Sequence, residues 1–471
     1  MAKHFDAIII GTGQAGPPLA RRLVKAGMKV AIAERKLFGG TCVNIGCIPT
    51  KTLVASAYAA QMARRAAEYG VTIDSAAGGS GAAIGHAVIG VDMKAVKARK
   101  DKISGDSRNS VEDSLKHLEN CTVYEAHARL ESPREVRIGA ELLSADRIFL
   151  NVGARANAAH FPGADQVNYL TNSSLLDLDV LPSHLVIVGG SYIGLEFGQM
   201  FRRFGSEVTI VEKGPRLIQH EDEDVSAAVL DILEREGIRV RLEAECIRFA
   251  KHGADISVGV NCTQGDPEEI GSHVLVAIGR RPNTDDLGLD KAGVSVDNRG
   301  NIGIDDQLRT NVPGIWALGD CNGHGGFTHT SYNDFEIAAA NLLDNDPRRV
   351  SDRIPAHGLY IDPPLGRVGL TDAEVRKSGK PALVGMRPMT RVGRAVEKGE
   401  SQGFMKVVVD QESKQILGAA ILGTGGDEAV HCILDIMYAK APYTTLQRAM
   451  HIHPTVSELI PTILGELKPL S

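Results

Sequence analysis

An α/β architecture is predicted for this 471-residue chain, with two doubly wound parallel-sheet units followed by a C-terminal α+β unit. Three observations predict it. Apolar strands run straight into glycine turns and helices at two places, Gly11 and Gly189. The length exceeds what one hydrophobic core serves and favours about three domains. After the polar, proline-containing stretch Asn345 to Arg349, the pattern changes: strand-like runs Phe404 to Val409 and Ile416 to Leu422 precede helical Ala429 to Ala439.

The first unit opens with the strand Ala7 to Ile10, the turn Gly11-Thr12-Gly13-Gln14-Ala15-Gly16 and the helical pattern Leu19 to Ala26. Gly11 permits the tight turn, Gly13 lets the backbone approach a pyrophosphate, and Gly16 lets helix pack on strand, with the helix N-terminus facing the phosphate charge. Pro17 and Pro18 are tolerated because they fall in the first helical turn. Val30 to Ala33 reads as the next strand and ends at Glu34, whose carboxylate is placed to accept hydrogen bonds from ribose hydroxyls. A glycine motif alone is weak; its strand and helix flanks plus this acid make a Rossmann-like dinucleotide-binding unit.

A second such unit begins at Leu185 to Val188, turns through Gly189-Gly190-Ser191-Tyr192-Ile193-Gly194 and reaches Glu212 after the strand Glu207 to Val211. Ser191 stands where the middle glycine is usual. Two dinucleotides are therefore expected. Glu212 would repel a 2′-phosphate, so NAD(H) is favoured over NADP(H), although Lys213 and Arg216 lie close by.

Other classes are excluded by composition. With 52 Lys and Arg against 58 Asp and Glu the net charge is −6, which leaves no electrostatic footprint for nucleic acid. The uncharged stretch Ser75 to Val91 is too glycine-rich for a membrane span and reads as a flexible loop. No charged-then-apolar leader precedes the strand at Phe5 to Ile10, so a soluble, cytoplasmic protein without membrane contact is expected. Val91 to Glu119 alternates charged and apolar residues at helical spacing and reads as a solvated amphipathic helix. Seven cysteines form no secreted disulfide framework. Two of them, Cys42 and Cys47, sit five apart among glycines and need their own explanation.

The segment Gly39-Gly40-Thr41-Cys42-Val43-Asn44-Ile45-Gly46-Cys47-Ile48-Pro49-Thr50-Lys51 closely resembles the flavin disulfide reductases: dihydrolipoamide dehydrogenase, glutathione reductase and mercuric reductase. Thr310 to Asp320 and Ala277 to Asn283 carry further marks of that family, and the resemblance spans nearly the whole chain. It implies an FAD domain over 1–152 and 280–347, an NAD(P) domain over 153–279 and a dimerisation domain over 348–471. Asp320, after Gly319, would hold the ribityl chain of FAD, and Gly40, Thr41, Gly153 and Gly279 would join the cofactor contacts.

The resemblance also assigns chemistry. Cys47 would be the thiol beside the flavin and Cys42 the interchange thiol that meets the substrate. On a straight helix, residues five apart have Cα atoms about 8–9 Å apart, beyond the reach of a disulfide. The segment is therefore expected to distort around Asn44 and Gly46 and enter a helix near Pro49. Two isolated thiols lack partners at zinc-ligand spacing, so no metal site is expected. Lys51 matches a lysine that sits near the flavin and pairs with a glutamate, here Glu196. Tyr192 matches an aromatic that in some relatives covers the nicotinamide pocket; ordinary packing is the alternative.

His453 and Glu458, in His451-Ile452-His453-Pro454-Thr455-Val456-Ser457-Glu458, resemble the family's acid–base pair, with His451 in a supporting role. Thiol–disulfide interchange needs a proton carrier near neutral pH, which an imidazole oriented by a carboxylate supplies. In the family this histidine reaches the disulfide of the partner subunit, implying a homodimer with shared active sites. The pair points to a disulfide or dithiol substrate, a small molecule or a lipoyl group. Yet Thr50-Lys51-Thr52-Leu53 departs from the Ser-Lys usual in dihydrolipoamide dehydrogenase and resembles a mercuric reductase-like subgroup, which keeps a metal-ion reductase, for Cu(II) or Hg(II), as the alternative. The chain end, Gly465 to Ser471, lacks the cysteine pair of conventional mercuric reductases. Cys321, next to Asp320, reads as a packed small residue.

Overall fold

The computed structural model describes residues 2–72, 89–245, 247–260 and 267–470. The expected loop from Ser75 lies, but for its last residues, outside the described ones. The first sheet has seven strands, because the runs Ile8-Ile9-Ile10, Val30 to Ala33 and Ile148-Phe149-Leu150 are apolar throughout and so suit parallel strands covered on both faces. Lys3–Ile10 lies between Val30–Ala33 and Glu141–Leu150, both parallel to it, and Cys121–Tyr124 extends the sheet beyond Val30–Ala33. Ile315–Ala317, far along the chain, pairs in parallel with Ile148 to Leu150. Trp316 stacks on Phe149 with ring centroids 5.0 Å apart. The first glycine turn leaves the carboxyl end of Lys3–Ile10, the edge at which open α/β sheets bind ligands.

The chain leaves this unit and returns to it through one antiparallel ribbon, Ala154–Ala156 against Arg280–Pro282. Between them lies a four-stranded parallel sheet in the order Arg239–Arg241, Glu207–Val211, His184–Val188, His273–Val276, flanked by a three-stranded antiparallel sheet. The last unit is a six-stranded antiparallel sheet that includes Phe404–Asp410 and Ile416–Leu422 as expected. The expected helix Ala429 to Ala439 is two helices, Gly426–Ala429 and His431–Tyr438. The amphipathic stretch folds as one helix, Met93–Lys116, with Asp92 capping it through the backbone N–H groups of Lys94 and Ala95.

One core joins all three units. Leu195, Phe197, Met200, Phe201 and Phe204 of the helix Tyr192–Phe204 pack against Leu53 and Ala57 of the helix Cys47–Arg65 and against Leu359, Leu365 and Phe404 of the last sheet. Ion pairs reinforce this junction. The buried ammonium of Lys406 lies 2.9 Å from Asp222, 2.8 Å from Asp224 and 2.9 Å from Asp372, and Arg367 reaches Asp222 at 2.6 Å. Among these carboxylates the lysine itself is the cation. Among the described residues no helix is long and apolar enough to cross a membrane.

Removing a buried charge from such a network strands its partners, at a cost of about 3–5 kcal/mol. Lys406→Ala is therefore expected to lower the thermal unfolding midpoint by several degrees, whereas Lys102→Ala, which breaks an exposed helical pair with Asp106, leaves it in place. Equal midpoints for the two variants would contradict the assignment of Lys406 to the junction.

Candidate active site

At the first glycine turn, a Cβ on Gly11 would lie 2.2 Å from the carbonyl oxygen of Asn151, and one on Gly16 would lie 2.4 Å from that of Gly11. Only glycine fits either place, so the turn stays tight and leaves its backbone open to a ligand. Glu34 closes the site from the next strand. Its carboxylate accepts from the Thr12 N–H at 3.1 Å, the Thr12 hydroxyl at 2.8 Å and the Lys36 N–H at 3.0 Å. Gly13, Gly40, Thr41, Gly153, Gly279 and Asp320 line one cleft of about 1450 Å³ with Glu34, large for a single small ligand.

Asp320 tests whether FAD suits this cleft. Burial pushes its carboxyl group's pKa up, and the opposing charge of Arg280 is 3.9 Å away. A half-buried acceptor that meets only its own backbone N–H and a guanidinium 3.9 Å away has room for a row of ligand hydroxyls. Gly319 beside it donates its N–H to Asp334 at 2.7 Å. The residues present thus fit the ribose and ribityl portions of FAD, with Glu34 and Asp320 as acceptors.

The cysteine segment solves its geometric problem with a break. Gly40–Asn44 is a short helix, so Asn44, expected in a loop, instead ends a turn of helix, its amide donating to the carbonyls of Phe38 at 2.8 Å and Gly40 at 2.9 Å. Ile45 and Gly46 interrupt it, and the long helix starts at Cys47, two residues before Pro49. A Cβ on Gly46 would lie 2.8 Å from the Thr41 carbonyl oxygen, so this close passage requires glycine. Cys42 and Cys47 are free thiols that line the same cleft, close enough to shift each other's ionisation.

The two sulfurs are chemically unequal. The hydrogen bond from Cys42 is the foremost cause that lowers the Cys47 pKa to about 6; burial opposes it, while the Thr328 hydroxyl at 3.0 Å and the charge of Lys51 assist and Glu196 counteracts. Cys42 is pushed up by donating that bond, by burial and by the neighbouring charge. Lys51 lies 2.7 Å from Glu196 and 4.4 Å over the ring of Tyr360, whose N–H donates to Glu196 at 3.0 Å. Two helices from different units thus place an ion pair beside the sulfur.

In the second unit, Gly189 and Gly194 make the same kind of passage: a Cβ on Gly194 would lie 2.0 Å from the carbonyl oxygen of Gly189. Glu212 accepts the Gly190 N–H at 2.6 Å and the Gly214 N–H at 2.7 Å. Tyr192 lines the main cleft near Lys51 and Cys47. His453 and Glu458 do not line it. They pair with each other at 2.9 Å, the His453 side chain 80% exposed. Cys321 is fully buried and burial pushes its thiol up to about 12, as a packed residue requires.

Thr328 was not foreseen; it is 281 positions from Cys47 and begins the helix Thr328–Ala339, with no local motif to flag it. Tyr360, Glu221 and His357, which surround Lys51 and Tyr192, carried no signal either.

A pair of unequal thiols where two nucleotide-type units meet is the working centre of a flavoprotein disulfide reductase. A model described as pyridine nucleotide-disulphide oxidoreductase matches residues 5–338, and one for the dimerisation domain of the same family matches residues 355–463. The chain belongs to this family, whose members are enzymes that bind FAD and a pyridine nucleotide. It is 33% identical to the probable pyridine nucleotide-disulfide oxidoreductase RclA of Escherichia coli (strain K12) over 98% of this chain and 99% of that one. It is 32% identical to a dihydrolipoyl dehydrogenase of Chlamydia muridarum, over 98% and 96%, and 29% identical to a mercuric reductase of Streptomyces lividans, over 97% and 94%. Among solved structures it is similar to the Cu(II) complex of the HOCl-induced flavoprotein disulfide reductase RclA from Escherichia coli, with a TM-score of 0.86 and 32% identity over 98% of this chain and 99% of that one.

The lowered Cys47 pKa has a sign that can be checked. Cys47 is a thiolate above about pH 6 and takes up a proton as the pH falls through that value. Lys51→Met should move the transition to higher pH and Glu196→Gln to lower pH, read from the Cβ chemical shift of labelled cysteine in the reduced protein. A transition that persists in Cys47→Ser would place the acidic thiol elsewhere.

Proposed function

We propose that the protein carries two electrons from NADH, through FAD, to the Cys42 and Cys47 pair and on to a disulfide. What supports this reading is the surroundings of the two thiols: both line one cleft, and only Cys47 has the Thr328 hydroxyl at 3.0 Å and the Lys51–Glu196 ion pair in its electrostatic environment, which favours Cys47 as the thiolate and Cys42 as the protonated partner that interchange requires. Bound FAD would supply hydride acceptance and two-electron transfer to sulfur. Residues 1–152 and 280–347 would hold it, 153–279 the nicotinamide nucleotide, and 348–471 would make the homodimer contact.

In this reading Lys51, fixed by Glu196, keeps positive charge near Cys47. His453 takes the proton of Cys42, whose sulfur attacks one sulfur of the substrate, forming a mixed disulfide and releasing one thiolate. His453, oriented by Glu458, delivers the proton that this thiolate needs. Because that histidine stands outside its own chain's cleft, a second copy supplies it. The Cys47 thiolate then attacks Cys42, which releases the second half of the substrate as a thiolate and leaves the Cys42–Cys47 disulfide for the next pair of electrons. Glu212, already held by two backbone N–H groups, favours NADH over NADPH because a 2′-phosphate would meet its charge. We assign the reaction to the cytoplasm, a reading supported by the lack, among the described residues, of a helix long and apolar enough to cross a membrane.

A second reading, reduction of Cu(II), is favoured by the similar solved structure, which is itself a Cu(II) complex. Stoichiometry separates the two. A disulfide takes both electrons of one NADH, whereas Cu(II) takes one electron per ion, so two ions are consumed per NADH. Turnover of lipoamide, glutathione disulfide, Cu(II) and Hg(II) is to be measured side by side. Disulfide turnover should be lost in Cys42→Ser and Cys47→Ser and should fall about 10²–10⁴-fold in His453→Gln. Unchanged disulfide turnover in His453→Gln, or NADH consumption with a metal ion alone, would overturn the first reading. Glu212→Ala should narrow the preference for NADH over NADPH.

A further inference from the structure

Asp334 is 2% exposed and lies behind the cleft, yet its carboxylate is fully engaged. Its Oδ2 accepts the Gly319 N–H at 2.7 Å and the Asn322 side-chain amide at 3.0 Å, and its Oδ1 accepts the guanidinium of Arg353. All three neighbours are donors. An ionised carboxylate suits this place because it offers acceptor sites only. Hydrogen bonds to ionised groups are also about twice as strong as neutral ones.

What Asp334 holds is the turn that carries Asp320. Gly319–Asn322 is a single helical turn, and Gly319 presses so closely on the helix Thr328–Ala339 that a Cβ there would lie 2.7 Å from the Ser331 hydroxyl. Asn322 donates to the Ala317 carbonyl at 3.1 Å and accepts the His324 N–H at 2.9 Å. Asp334, standing on that helix, therefore fixes both ends of the turn. Its counter-charge comes from elsewhere in the chain. Arg353 lies just before Ala356–Leu359, a strand of the last sheet, and its side chain is 12% exposed. The same guanidinium donates to Asn333 Oδ1 at 3.0 Å and to the His324 carbonyl at 3.4 Å. Its planar fork meets three acceptors at once, which the point charge of a lysine does not. Through this side chain the last unit clasps both the turn and the helix behind it.

We propose that Arg353, acting through Asp334, positions the Gly319–Asp320 turn for FAD, so that the last unit sets how tightly the first unit holds its cofactor. Both are positioning residues: Asp334 acts through the Gly319 N–H and the Asn322 amide, and Arg353 acts through Asp334. The inference rests on the reading that Asp320 receives hydroxyls of FAD. Without Arg353 a buried carboxylate loses its counter-charge, and it either moves toward water or takes up a proton. Its hold on the Gly319 N–H loosens in both cases, and Asp320 loses its fixed place. With asparagine at position 334, a side-chain NH₂ would face a donor, so at least one of the three hydrogen bonds is lost.

The test follows flavin release from the FAD-loaded protein on serial dilution, read from the fluorescence of free FAD. The proteins compared are the wild type, Asp320→Ala, Asp334→Asn, Arg353→Met, Arg353→Lys and Lys406→Ala. The dissociation constant is expected to rise about 10–100-fold in Asp334→Asn and Arg353→Met. It should rise by less in Arg353→Lys, which keeps the charge beside Asp334 but not the fork. Lys406→Ala separates position from stability, because it removes a buried cation from the contact between units without touching the turn. Its thermal midpoint should fall while its FAD constant stays at the wild-type value. If Asp334→Asn and Arg353→Met do not fold, Arg353→Lys against Lys406→Ala decides the matter. Wild-type affinity in Asp334→Asn and Arg353→Met, with flavin released by Asp320→Ala, overturns the tie and leaves the cofactor reading standing. Flavin loss in Lys406→Ala as large as in Arg353→Met also overturns the tie, since affinity would then follow stability alone. Wild-type affinity in all five variants overturns both the tie and the placement of FAD at Asp320.

Discussion

The passage of Gly46 against the carbonyl of Thr41 is the constraint on which the site depends. Five residues of regular helix would hold Cys42 and Cys47 too far apart to react. The interruption at Ile45 and Gly46 brings them close enough to shift each other's ionisation, and it also sets where the long helix begins. Starting that helix at Cys47 places Lys51 one turn further along, within 2.7 Å of Glu196. Any side chain at position 46 would push the Thr41 carbonyl away, and the sulfur pair, the lysine and the glutamate would lose their common frame. The catalytic arrangement is thus a consequence of backbone geometry before it is one of side-chain chemistry.

Carboxylates of the nucleotide-type units divide according to their partners. Glu34 and Glu212 each follow a strand, and each accepts one backbone N–H from its own glycine turn and one from the residue two positions further on, which fixes them as acceptors. Asp320 meets its own backbone N–H and a guanidinium 3.9 Å away, and burial raises its pKa. Glu196 and Glu221 have basic partners, Lys51 and His357. These five acids therefore do three kinds of work. What separates them is the number and charge of the donors each one meets.

Much of this was legible in the sequence because glycine motifs encode close backbone approach directly. The turns at Gly11 and Gly189, the strands that end at Glu34 and Glu212 and the helix Met93–Lys116 follow from local spacing alone. The helical start of the cysteine segment did not, since Asn44 suits a turn by composition but here satisfies two carbonyls from within a helical turn. Thr328 beside Cys47, Tyr360 beneath Lys51 and the Glu221–His357 pair behind Tyr192 join residues 281, 309 and 136 positions apart. No period or motif relates such positions, because tertiary packing alone brings them together. The Lys406 network was hidden for the same reason: a lysine within the alternation of Phe404 to Asp410 looks like an outward-facing residue.

The position of His453 carries the last step. A base for sulfur chemistry has to reach the sulfur, yet this imidazole, aligned by Glu458, is 80% exposed and lies outside the cleft of its own chain. Met450 and Ile452 beside it are also exposed, at 99% and 80%, in a segment of a matched dimerisation domain. Large apolar side chains flanking an oriented but idle acid–base pair are costly in water and useful against a protein surface. Under the proposed function, covering them with a second copy and completing the thiol site are one event, so that a lone chain could accept electrons but would lack the proton carrier needed to pass them to a disulfide.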